Sequence, residues 1–100
     1  MSVNIWMFKL TTGAVMIAHV VEWHDTEVYV VNPMRVVKSE FGITAEVRWM
    51  EDWQIFDSSK IVHLQRSGVV YCAPATGSAL DSYHRDGLDK VYDFMGKYND

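Results

Sequence analysis

Ile5, Trp6, Phe8 and Leu10 make Asn4–Leu10 an apolar-rich segment that predicts a first strand. Thr11-Thr12-Gly13 follows as a turn, since Gly13 takes the positive φ that side chains resist. Ala14–Trp23 predicts a second strand, in which Met16, Ala18 and Val20 alternate and so share one face. His24-Asp25-Thr26 is a polar turn suited to a hairpin corner. Glu27–Val37, rich in Val and Tyr, predicts a third strand. Pro33 lies inside it and has no ladder donor, so Asn32-Pro33 should mark a bulge, an edge or a sharp bend. The stretch Phe8–Pro33 is therefore a β meander, and a strongly bent strand within it is what a small barrel needs.

Lys38–Glu40 with Phe41-Gly42 predicts a looser turn. Ile43–Phe56 is strand-like through Val47, Trp49, Trp53, Ile55 and Phe56, with a kink or bulge at Glu51-Asp52. Asp57-Ser58-Ser59 is a turn, Lys60–Gln65 a short strand, and Arg66-Ser67-Gly68 a tight corner. Val69–Ala73 is the last strand, stopped by Pro74.

The period then changes. Leu80, Tyr83, Leu88, Val91, Phe94 and Met95 recur at three- and four-residue steps, which puts them on one helical face. Ser78 is the expected N-cap, with Asp81 three residues on. Gly87 in mid-helix allows a kink or a close approach to a neighbour. Residues 97–100 are expected to fray. The predicted architecture is mainly β, with residues 1–76 as an antiparallel barrel and 77–100 as a helix packed on it or projecting from it, all in a single domain.

Composition adds limits. A 100-residue chain fits one domain, and 49% apolar residues is too many for disorder. So short a chain buries only ~60–65% of its unfolded surface, so association would help it. A net charge of −4 argues against a whole-surface grip on nucleic acid or anionic membrane, though not against a local basic patch. The lone Cys72 excludes an internal disulfide and suits a reducing cytoplasm. MSVNIWMFK does not read as a signal peptide, and no apolar run is long enough to span a membrane.

No nucleophile elbow, zinc-protease helix or phosphate loop is present, and His19, His24, His63 and His84 form no short-range metal pair. No catalytic residue, metal site or cofactor is expected. Cys72, in an apolar strand, reads as a buried inert thiol rather than a nucleophile. Glu46, Glu51, Asp52 and Asp57 read as a solvated strand face and turn rather than an acid/base pair. Trp49 and Trp53 share a strand face and read as core or interface packing rather than a base-stacking platform.

Leu10, Gly13, Met16, Ala18, Val20 and Trp23 match the spacing of the first Sm motif, with Ala18 where that family usually has glycine. Lys60–Ala73 is similar to the second Sm motif, its corner reading Arg66-Ser67-Gly68 where Ile-Arg-Gly is common. With Lys9-Leu10-Thr11-Thr12-Gly13 and Asn32-Pro33, the chain resembles the Sm-like proteins of tailed phages, including those of marine cyanobacteria, over residues 4–85. The resemblance implies a strongly bent five-stranded antiparallel barrel. It implies a homo-oligomeric ring of about five to seven subunits, in which the last strand of one copy pairs with the short preceding strand of the next. Ile61, Val62, Val69, Val70 and Tyr71 fit that interface.

The family binds single-stranded RNA at two pore-side turns. By position these offer His24 and Asp25 from one turn and Arg66 from the other, suited to U- or A-rich RNA. Val28 stands where the family often has Asn, and Glu27 adds negative charge. A phage source would place the protein in the cytoplasm of a bacterial host. The expectation is a non-enzymatic ring protein. Its partner is RNA, or, in a second class of function, another protein on a structural scaffold. A small enzyme is the third class, and a deep pocket of converging titratable groups would mark it.

Overall fold

The computed structural model describes residues 2–38, 45–49 and 61–98. Within them lie β1 (Ile5–Leu10), β2 (Val15–Trp23), β3 (Glu27–Lys38), β4 (Ala45–Trp49), β5 (Ile61–Gln65) and β6 (Val69–Pro74), then α1 (Gly77–Asp86) and α2 (Leu88–Tyr98). Every pairing is antiparallel. The protein is mainly β, with a helical C-terminal part. The expected turn over 39–42, Glu51, Asp52, Trp53 and the turn at Asp57 lie outside the described residues.

Asn32-Pro33 is a bulge. Ile17 stands opposite Met34 and His19 opposite Val31, so the single residue Ala18 faces both Asn32 and Pro33. Asn32 takes φ 50°, a conformation that Asn tolerates better than most side chains. A second irregularity falls between Val20 and Glu22. Such insertions bend a strand and raise its twist. Ala18 is fully buried at the bend, among the side chains inside the curl.

The resulting curl is severe. The three-residue 3-10 corner Arg66–Gly68 reaches at most ~11 Å when extended. At one end the Arg66 N–H donates to the Thr26 carbonyl, and at the other the Thr11 N–H donates to Gly68, each at 2.9 Å. Thr11 and Thr26 lie beyond opposite ends of the nine-residue β2, which alone would span ~30 Å if straight. Diagonal corners of the meander have therefore been folded together.

The sheet nevertheless stays open, which corrects the expected five-stranded barrel. Its path is β4-β3-β2-β1-β6, with β5 attached to β3. The bend divides β3 between two partners on one edge. Residues Glu27 to Val31 pair with β5, and Met34 to Lys38 pair with β4. β5 then passes through the corner to β6, which pairs with β1. Among the described residues no ladder joins β5 to β6.

Two apolar clusters lie on the two faces of the sheet. Inside the curl are Phe8, Met16, Ala18, Val20, Val28, Val30 and Leu64. On the other face Ile5, Ile17 and Met34 pack with Ala75, Ala79, Tyr83 and Val91. The predicted helical stripe faces this second cluster: Tyr83, Val91 and Phe94 are buried, and Leu80, Leu88 and Met95 pack at its margin. The one expected helix is two, broken at Gly87. Ser78 is not the N-cap, because α1 already begins at Gly77 with Thr76 in the cap position.

Candidate functional site

His24, Asp25 and Thr26 form the β2–β3 turn, closed by the His24 N–H donating to the Glu27 carbonyl at 2.9 Å. Arg66 arrives at this turn from a place 40 residues further along the chain. Its backbone N–H bonds Thr26, and its Nη1 donates to the His24 carbonyl at 2.9 Å with the residues 42 apart. Thus the curl brings His24 and Arg66 into direct contact. Asp25 is exposed between the two residues that Arg66 holds. The Arg66 guanidinium also sits 5.8 Å from the centre of the Trp23 ring, within cation–π range.

Trp23 extends the site into the curl. Its ring meets Trp6 edge-on at 4.9 Å and lies 6.2 Å from Phe8. Phe8, Trp23, Arg66, Val70, Tyr71 and Cys72 line a pocket of about 190 Å³ at the open seam between the corner and β6. Cys72 is half-buried rather than sealed in the core, because this seam leaves its strand uncovered.

On the outward face, Tyr29 and His63 are direct cross-strand partners, with rings 4.0 Å apart and 10° from parallel. His24 packs on Tyr29 at 4.3 Å. Two carboxylates border these rings. Glu22 Oε2 is 2.8 Å from His24 Nε2, and Glu27 Oε2 is 3.3 Å from His63 Nδ1. The turn region is thus a mixture of one guanidinium, aromatic and imidazole faces, and acidic neighbours.

The expected interface residues flank the seam. Val70 and Tyr71 are 67% and 68% exposed, a large apolar area on a strand that among the described residues pairs with β1 alone. Ile61 is half-buried, while Val62 and Val69 are partly committed to the inner cluster. The outer edge of β5 has no pairing among the described residues.

The other histidines play different parts. His19 is buried, its Nδ1 accepting from the Asn4 N–H at 3.0 Å, and burial holds its pKa below the ordinary value. His84 lies on exposed α1 surface. Among the described residues no group of three or more His, Cys, Asp or Glu side chains is placed to hold a metal ion. No helix in them is long and apolar enough to cross a membrane.

Trp23, Tyr29 and His63 are the site residues that sequence reasoning passed over. Inward Val28 and Val30 imply an outward Tyr29, but its meeting with His63 depends on the β3–β5 register. Glu46 and Trp49 are placed by backbone alone on β4, opposite Val37 and Met34. No protein-family model matches the chain, and no curated protein matches it at a significant level.

Proposed function

We propose that the chain is an Sm-like subunit that assembles edge to edge into a ring and holds single-stranded RNA at the β2–β3 turn and the Arg66 corner. The observation that carries this reading is the pair of hydrogen bonds from Arg66 to Thr26 and His24. They unite the two turns that the family resemblance assigns to RNA. The chain order of the strands supports it too. A bent meander is followed by a short strand on β3, a 3-10 corner and a last strand on β1. The edges of β5 and β6 that carry no ladder among the described residues supply the surfaces for ring closure, and pairing them removes exposed backbone groups.

His24 offers an imidazole face to a base, Asp25 an acceptor for a base edge, and Arg66 a cation for phosphate. A second reading, a protein-scaffolding ring with no nucleic acid, draws on Glu22 and Glu27 beside the turn and on the net charge of −4.

The deciding experiment titrates labelled U-rich and A-rich RNA oligonucleotides against the purified protein at two salt concentrations. Binding that weakens in Arg66→Ala, with a salt slope shallower by ~1, supports the RNA reading. Equally weak binding by wild type and Arg66→Ala rejects it in favour of the scaffold. Sedimentation as a monomer at micromolar concentration rejects the ring.

A further inference from the structure

We infer that Tyr29 and His63, with His24, form a base-stacking ledge that extends the proposed RNA site from the turn onto the outward face of β3 and β5. The ledge rests on the RNA reading above and names residues and a mode of contact that the turn alone does not supply.

Its geometry is that of a pre-set surface. Val28 and Val30 are buried inside the curl, so the alternation of β3 turns Tyr29 outward. The register places His63 directly opposite, and the rings lie nearly parallel. His24 reaches Tyr29 from the turn, so ring contacts run unbroken from the Arg66-bound loop to β5. The side chains of His24 and His63 remain 44% and 55% exposed, which leaves π surface for a further planar group. The Glu22 carboxylate hydrogen-bonds the His24 edge and the close ring stack on Tyr29 holds His63, so little ordering is needed when a ligand stacks.

The charges select the ligand's orientation. Carboxylates at the margins of the ledge repel phosphate, whereas aromatic faces accept any nucleobase. A single strand therefore lies with its bases on the rings and its backbone outward, and only Arg66 takes a phosphate. Stacking of this kind is insensitive to salt, while a phosphate contact is not. The two contributions are separable on that ground.

The test uses the full-length chain and a single-stranded oligo-A RNA carrying 2-aminopurine, whose fluorescence falls on stacking. Affinities are measured at two salt concentrations for wild type, Arg66→Ala, His63→Ala, His63→Tyr and Tyr29→Leu. The expected result is an about tenfold loss for His63→Ala with the salt slope unchanged, and recovery in His63→Tyr. Tyr29→Leu should lose both affinity and quenching while its circular dichroism stays that of wild type. Should Arg66→Ala weaken binding while His63→Ala and a folded Tyr29→Leu bind as wild type does, the ledge is wrong and the turn site stands. Should wild type not bind the RNA at either salt concentration, both are wrong.

Discussion

The side-chain amide of Asn32 donates to the carbonyl of Gly87 at 2.9 Å, with the residues 55 apart. This bond ties the bulge in β3 to the break between α1 and α2. The Tyr83 hydroxyl donates to the Asn32 carbonyl at 2.9 Å, so the bulge is held from both its side chain and its backbone. The same bend that divides β3 between β4 and β5 is thus anchored by the helices.

Gly87 is there because a side chain has no room. A Cβ would lie 2.8 Å from Met34 Sδ, 3.1 Å from Asn32 Nδ2 and 3.2 Å from Tyr83 Cε2. The Met sulfur can swing aside, but the amide and the ring are held by their hydrogen bonds. Gly87→Ala should therefore destabilise by about 1–3 kcal/mol through overpacking. That outweighs the ~1 kcal/mol that alanine brings to a helix. Urea denaturation decides it, and a raised midpoint would show that the contact is loose.

Asn32 serves both as a hydrogen-bond donor and as a residue tolerant of φ 50°. Two substitutions separate these roles. Asn32→Gly keeps the backbone freedom and loses the bond, at a cost of about 1 kcal/mol. Asn32→Ala loses both and should cost about 1–2 kcal/mol more. Equal urea midpoints for the two variants would mean that the positive φ carries no strain.

Much of this was legible in the chain. Pro33 after Asn32 marked the bulge, because a residue without a donor cannot sit in a regular central ladder. Gly87 amid a helical stripe marked the close approach. The turns at His24 and Arg66 were both legible, each from local chemistry. What could not be read was which edges meet. β5 shares an edge of β3 with β4 only because β3 bends at Asn32, and Tyr29 finds His63 only through the register that follows. Closure failed as an expectation for the same reason, since pairing at the seam is set by curvature rather than by any residue type. Ser78 offered a better cap than Thr76 on propensity, yet α1 begins at Gly77 with Thr76 in the cap position and no side-chain capping bond.

Burial pushes the Tyr83 phenol well above its ordinary pKa, against the smaller opposing effect of its hydrogen bonds. The unfolded chain therefore gives up this proton first. Its contribution to stability is intact below about pH 10 and declines as pH rises beyond that. Tyr83→Phe should lose about 1 kcal/mol at neutral pH with the hydroxyl's bond. It should also show a shallower fall in urea midpoint between about pH 10 and 11.5. An unchanged alkaline slope would place the titrating group elsewhere.

His19 acts in the opposite direction. Burial lowers its pKa, with the Asn4 backbone bond as the weaker opposing influence. The unfolded chain binds the proton first as pH falls through about 6.5, so stability is full above that value and declines below it. His19→Gln keeps an acceptor for the Asn4 N–H and cannot titrate. Its urea midpoint should change less than that of wild type between about pH 6.5 and 5. Parallel curves for the two proteins would clear His19 of any part in acid destabilisation.

The edge of β6 that carries no ladder among the described residues provides the last test. Val70 and Tyr71 are exposed, so a charge on either costs the isolated subunit little, within about 0.5 kcal/mol. In an edge-to-edge ring the same charge would be trapped between paired strands without a partner, a far larger penalty. If the proposed ring forms, Val70→Asp should therefore convert it to monomers in sedimentation velocity, while far-ultraviolet circular dichroism remains that of wild type. Tyr71→Asp should do the same. If both variants sediment as wild type does, the β6 edge is not the subunit contact, and the open seam beside Cys72 must be covered in some other way.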